Sequence, residues 1–235
     1  MNEPNCSKSI TKSEQTISAK FLVNYSSKLL QKKIKDHLDE PIYYYIIRSV
    51  DLENNKFIQK GSGPNFEGDI ITLCTCKHKM RTYPNIDQGT WIAGITSKNI
   101  GSNLGNYIYY LARINETFNS HYELWEYFKK HAPNTLKLKS SVQNPLGDIF
   151  FPKNKTINDM FDPDEYRKPI QGHSHQKNWH DDIKIRYKKP SKLIVFDPKY
   201  SFVWKSPVIK INPNKLTQGQ RRKDTITEFL NMEAI

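Results

Sequence analysis

The densest chemistry in the chain lies in Thr72-Leu73-Cys74-Thr75-Cys76-Lys77-His78-Lys79-Met80-Arg81. Lys77 and Arg81 are candidate phosphate ligands, Arg through its two-pronged fork and Lys as a point charge. Cys76 stands beside both cations, in a field that favours a thiolate, and is a candidate nucleophile. Ordinary solvated cations beside buried thiols are the alternative. Side chains alternate along a strand, so Cys74, Cys76 and His78 share one face if the strand continues. With a remote histidine they would be zinc ligands, but C-x-C-x-H is not a zinc signature and no second cysteine pair is present. Buried thiols without metal are the expectation.

Two further clusters carry reactive groups. His173-Ser174-His175 and His180-Asp181-Asp182 bring imidazoles and carboxylates into one short stretch. His173, His175 and Asp182 are candidates for a base and its orienting partner, and Asp148 is a further candidate polar group. A surface cluster with ordinary hydrogen bonds is the alternative. In an extended chain Asp181 and Asp182 point to opposite sides, which argues against a two-carboxylate mechanism. Gly94-Ile95-Thr96-Ser97-Lys98 follows a predicted strand. Its turn is a candidate anion cradle through Ser97 and Lys98, although it lacks P-loop spacing. Trp91 and Tyr109 are candidate base-stacking rings, with core packing as the alternative. Neither a Gly-x-Ser-x-Gly elbow nor a dinucleotide fingerprint occurs, and no pattern names a cofactor.

These groups need elements to hold them. Residues 1–20 read as a disordered tail without the charged and apolar regions of a signal peptide. Residues 21–235 read as one α+β domain. Helical spacing from Phe21 to Leu38 predicts an amphipathic helix ended before Pro41. Ile42–Val50, Ile70–Cys76, Trp91–Thr96, Tyr107–Ile114, Lys192–Phe196 and Phe202–Trp204 read as strands. Asp51–Gly63 reads as a loop, and Trp91–Ile114 as a long hairpin. Ser120 and Glu123 form a capping box for a helix to His131, which Pro133 ends. Residues 134–180 read as irregular, and Asp224–Met232 as a short helix. The sum is α+β, with a single curved, mixed or antiparallel sheet, a few flanking helices and a long loop-rich segment.

Composition narrows the class. The chain has 235 residues, with 36 basic and 24 acidic, so 36 − 24 gives a net charge of +12. That surplus favours polyanionic partners. An aromatic share of 12% excludes a disordered chain. The longest apolar run, Ile42–Ile47, is far short of the roughly 18 residues of a membrane span, so no membrane partner is expected. Three cysteines give no closed disulfide set and point to a reducing, cytoplasmic setting.

The motif order resembles the bacterial and phage nucleotide modification associated domain family, second type. The matching residues are Gly63-Pro64-Asn65-Phe66, Thr72-Leu73, Cys76-Lys77, Arg81, Gly89-Thr90-Trp91-Ile92-Ala93-Gly94, Ser97-Lys98 and the Tyr107–Ile114 strand. Gly147-Asp148-Ile149-Phe150, His173-Ser174, Asp182 and Leu193–Phe202 follow in order. The resemblance spans about residues 42–210. His78 stands where the family often has proline, and Asp148-Ile149 lacks an intervening asparagine. The resemblance implies a nucleotide or nucleic-acid partner, DNA or RNA, in a phage modification or defence context, and assigns no catalytic role. The leading reading is a nucleotide or nucleic-acid binder that recognises modified bases; the alternatives are a transferase or hydrolase acting on nucleotides or modified bases, and an interaction protein with an acidic partner. Convergence of Cys76 with the histidines in one place is the feature that favours the enzyme.

Overall fold

A computed structural model describes residues 14–61, 63–100, 103–188, 191–216 and 221–234. Most of the expected tail lies outside them. The strands are β1 (Leu22–Val23), β2 (Ile42–Ile47), β3 (Val50–Glu53), β4 (Lys56–Gln59), β5 (Thr72–Leu73), β6 (Trp91–Thr96), β7 (Asn99–Ile100), β8 (Asn103–Leu104), β9 (Asn106–Phe118), β10 (Leu193–Trp204), β11 (Lys210–Ile211) and β12 (Arg221–Lys223). The helices are α1 (Ser27–Lys33), α2 (His78–Arg81), α3 (His121–His131), α4 (Pro133–Leu138), α5 (Trp179–Lys188) and α6 (Ile226–Leu230). By contacts the chain divides into two compact units. Unit 1 comprises Met1–Ile17, Gly61–Ile86 and Glu116–Val195; unit 2 comprises Ser18–Lys60, Asp87–Asn115 and Phe196–Ile235.

Unit 2 holds most of an open, mixed sheet in the order β1-β10-β9-β6-β2-β12, with β11 also on β9. The fold class is therefore α+β. β2 runs parallel to β6, from Ile42↔Trp91 to Ile47↔Thr96, and antiparallel to β12. Both β2 and β6 are apolar without alternation, as interior strands covered on both faces are. β6 and β9 form the expected long hairpin, antiparallel from Trp91↔Arg113 to Ile95↔Ile108. Glu40 ties its base together. Its carboxylate accepts from Trp91 Nε1 at 2.7 Å and from Arg113 Nε and Nη2 at 2.8 and 2.7 Å, and meets His37 Nδ1 at 3.0 Å. Burial pushes this carboxyl up, but hydrogen bonds from Arg113, Trp91 and His37 outweigh it and hold the group below its ordinary range.

Several expectations shift. Phe21–Val23 leave the predicted helix because Leu22 and Val23 pair with Val203 and Trp204 of β10. The helix starts only after Ser26, whose Oγ accepts from Leu29 N. The expected loop over 51–63 contains the β3–β4 hairpin. Asn54 and Asn55, with φ of 49° and 59°, make its tight turn, and asparagine tolerates that region. Lys192–Phe196 and Phe202–Trp204 belong to one strand, β10.

Unit 1 is built on β5, which pairs with the start of β10 through Leu73↔Ile194 and Thr72↔Val195. Cys74, Leu124, Phe128, Leu136, Ile149, Leu193 and Val195 form its core. α3 carries the expected Ser120–Glu123 capping box. Pro133 does not end the helical region: it opens α4 from the first helical position, where its missing N–H costs nothing. The stretch after α4 is irregular apart from a 3₁₀ turn at Pro163–Glu165, until α5 begins at Trp179. Trp179 and Ile183 of α5 pack with Phe150 and Tyr166. The segment 181–182 is thus helical, not extended.

Gly94 lies inside β6, not after it. A Cβ there would sit 2.4 Å from Cε1 of the buried Tyr110, whose hydroxyl donates to Tyr45 Oη at 2.9 Å. The ring cannot swing away without losing that bond. Gly94→Ala should cost about 1–3 kcal/mol and lower Tm by roughly 3–10 °C. Differential scanning calorimetry measures it; an unchanged Tm would contradict this packing.

Candidate functional site

The reactive groups of unit 1 gather around one carboxylate. The chain leaves β5, passes the buried Cys74 and Cys76, and turns through Lys77 in left-handed backbone, φ 58°. α2 then begins at His78. This reversal ends the alternation expected for Cys74, Cys76 and His78. Among the described residues no three His, Cys, Asp or Glu side chains are grouped to hold a metal ion.

Asp182 comes from the first turn of α5 and is 2% exposed. Its Oδ1 lies 2.9 Å from His78 Nε2, and its Oδ2 lies 2.7 Å from His175 Nδ1. One carboxylate therefore holds two imidazoles. Asp181, its neighbour, is exposed. His78 Nδ1 faces Arg81 Nη2 at 3.2 Å. A guanidinium only donates, so Nδ1 accepts, and Nε2 carries the proton toward Asp182. Ser191 Oγ stands 3.4 Å from the same Nδ1.

His175 is the more buried of the two imidazoles. Its ring also hydrogen-bonds Cys76. Burial alone would push the ring down. The charge of Asp182 at this distance, with Cys76 adding to it, overcomes burial and raises it to about 10. Burial likewise pushes Asp182 up, but His175 and His78 hold it far below the usual carboxylate range. The result is a buried imidazolium–carboxylate pair with a cysteine acting on the same ring. A cation against a cysteine sulfur favours the nucleophilic thiolate.

Arg81 fixes the backbone of this centre. It is fully buried, and donates through Nε to Cys76 O at 2.8 Å and through Nη1 to Lys192 O at 2.5 Å. Burial lowers its guanidinium from the ordinary value, while Cys74, Cys76, Asp182 and Asp148 pull it back up.

His173 braces the loop that presents His175. Its Nε2 donates to Gly147 O at 2.6 Å, and its Nδ1 accepts from the backbone N–H of His175 at 3.0 Å. Both nitrogens are satisfied only in the neutral ring, and burial pushes the group down to about 4. Gly147 is needed for this approach: a Cβ there would sit 2.4 Å from Ser140 O. Asp148 accepts from Thr72 Oγ1 at 2.7 Å, and burial raises its carboxyl against the pull of Lys139, Thr72 and Cys74. Lys139, fully buried, donates to Asn65 O and Oδ1 at 2.9 and 3.0 Å, and burial lowers its amine to about 8. Lys139, Asn65, Thr72 and Ser191 were not among the candidates. Lys139 follows Leu136 and Leu138 in a region rich in lysine, and nothing in its neighbours marks it as buried.

The sequence candidates thus divide between the units. Cys76, Lys77, His78, Arg81, Asp148, His173, His175 and Asp182 lie in unit 1. Ser97, Lys98, Trp91 and Tyr109 lie in unit 2. Lys98 is exposed and Ser97 half-buried. Trp91 is fully buried, its ring 6.1 Å from those of His37 and Tyr200. Tyr109 is fully buried, edge-on to Phe57 at 5.6 Å.

Within its α+β fold, unit 1 thus brings a thiol, an imidazole and a carboxylate together in one buried group. A family model described as nucleotide modification associated domain 2 matches residues 40–223. The chain belongs to that family, whose description is compatible with a nucleotide-related role. No curated protein and no solved structure matches it. No helix among the described residues is long and apolar enough to cross a membrane.

His173 gives a pH signature. Its folded value of about 4 lies below the ordinary 6.5, so the folded state binds fewer protons between them. The stability this ring contributes is complete above about pH 6.5 and is lost as pH falls toward 4, on the order of 3 kcal/mol in all. His173→Gln should be less stable at pH 7.5 and show a flatter loss between pH 6.5 and 4. Urea unfolding across that range checks it; parallel profiles for the two proteins would contradict the assignment.

Proposed function

We propose that the protein is an enzyme acting on a nucleotide or modified base, with Cys76 as its nucleophile. The observation that carries this reading is the convergence of Cys76, His175 and Asp182. Asp182 orients His175 and stabilises its charged form. His175, already protonated, holds Cys76 as the thiolate, which attacks an electrophilic carbon of the base or of its substituent. A C–S bond forms, and the displaced electron pair passes to the adjacent nitrogen or oxygen. The imidazolium gives its proton there, so the addition balances without a further reactant. His78 and Arg81 are positioning residues: one shares Asp182, and the other fixes the Cys76 carbonyl. A nucleotide-related family supports the substrate class, and a thiolate centre suits a reducing cytoplasm. Phage DNA modification or defence is the setting the family points to. Recognition of a base without chemistry draws less support, since Arg81, Trp91 and Tyr109 are buried and engaged.

Thiol reactivity tests the centre without knowledge of the substrate. Alkylation by iodoacetamide, followed by peptide mass spectrometry, should modify Cys76 at pH 6 in preference to the fully buried Cys74. His175→Ala should slow Cys76 modification at least tenfold at pH 6 and much less at pH 9, where an ordinary thiol ionises unaided. Incubation with nucleotides and base-modified oligonucleotides should give a covalent adduct or product that Cys76→Ser abolishes and Cys74→Ala leaves. Equal Cys76 alkylation with and without His175 would defeat the reading, as would product formation that survives Cys76→Ser.

A further inference from the structure

Unit 2 carries a second feature, whose reading does not depend on the thiol centre. A surface cleft of about 290 Å³ is lined by Lys20, Val23, Tyr25, Lys33, Lys199, Tyr200 and Phe202 with Pro198 and Ser201. Val23 and Phe202 are buried, Tyr25 and Tyr200 are half-buried, and the three lysines are exposed. The lining contains three cations and no carboxylate. Asp36 and Asp197 act on Lys199 electrostatically, but neither lines the cleft.

The aromatic groups are held in place. Trp204 Nε1 donates to Tyr25 O at 2.8 Å, and the Tyr25 ring stands 5.9 Å from Phe202. Tyr200 packs edge-on against His37 at 4.5 Å, with Lys199 Nζ 4.9 Å from its ring centre. Partly exposed rings rimmed by exposed lysines match the two parts of a nucleic-acid strand. Bases stack on rings whatever their identity, and phosphates pair with lysines. The volume lies at the small end of ligand pockets. It suits one or two nucleotides of a strand that continues beyond the cleft, rather than an enclosed ligand.

We propose that this cleft binds single-stranded nucleic acid, Tyr25 and Tyr200 meeting bases and Lys20, Lys33 and Lys199 meeting phosphates. A fluorescent oligothymidylate of ten nucleotides, followed by anisotropy over a range of salt, tests it on the full chain. The native protein should bind, and the affinity should fall as salt rises. Replacing Lys20, Lys33 and Lys199 together by Gln should weaken binding at least tenfold and flatten the log–log salt slope by about two, near 0.7 per lost phosphate contact. Tyr25→Leu should weaken binding several-fold with the slope unchanged. The control replaces the exposed Lys130, Lys153 and Lys155 of unit 1 by Gln, which removes the same charge. An equal loss in that control would overturn the cleft, leaving only the overall +12 charge as the cause. Equal competition by free thymidine monophosphate, or by a polyglutamate of matched charge, would overturn a nucleic-acid strand as the occupant. Unchanged melting temperatures across the variants keep folding out of the comparison.

Discussion

Asp182 is the constraint on which unit 1 depends. A carboxylate with 2% exposure is costly unless its charge is met from both sides. Here both oxygens face imidazoles, one from α2 and one from the loop before α5. The pairing joins segments more than a hundred residues apart in sequence and decides the protonation of each ring. His78 is neutral because Arg81 can only donate to it. His175 is cationic because the charge of Asp182 outweighs its burial, with Cys76 adding to it. Two chemically identical side chains on one carboxylate therefore differ in charge: one closes a hydrogen-bonded network with Arg81, and the other stands as a cation beside a cysteine.

The supports follow from that arrangement. Asp182 needs α5, and α5 needs Trp179 and Ile183 buried against Phe150 and Tyr166. His175 needs His173 neutral and anchored on Gly147, which needs the absence of a side chain beside Ser140. Cys76 needs Arg81 to hold its carbonyl through the left-handed turn at Lys77. Unit 2 uses the same device for another end. Glu40 gathers Trp91, Arg113 and His37, but it is partly exposed. Its network fastens a hairpin, whereas that of Asp182 holds two imidazoles.

Strands buried on both faces were legible because hydrophobicity runs unbroken through Ile42–Ile47 and Trp91–Thr96. The α3 cap was legible because Ser120 and Glu123 stand three apart before an apolar face. Short pairings were not. β1 and the β3–β4 hairpin depend on partners distant in sequence or on asparagine turns, and local pattern carries neither. α5 stayed hidden because His173–Asp182 is polar, and its helix is stabilised by tertiary burial more than by amphipathic spacing. The identities of the reactive groups in unit 1 could be listed from sequence, but not their grouping. That grouping follows from the helical turn that buries Asp182 and exposes Asp181. The phosphate role read for Arg81 rested on charge alone, and charge does not tell a solvated guanidinium from one buried on carbonyls.

The charge state of His175 is the most direct test of this centre. Long-range proton–nitrogen NMR on histidine-labelled protein reports whether one or both ring nitrogens carry protons. At pH 8 both nitrogens of His175 should be protonated, while His78 and His173 remain neutral with the proton on Nε2. Asp182→Asn should return His175 toward the neutral form at that pH. A neutral His175 in the native protein at pH 8 would contradict the ion pair, and with it the activation of Cys76.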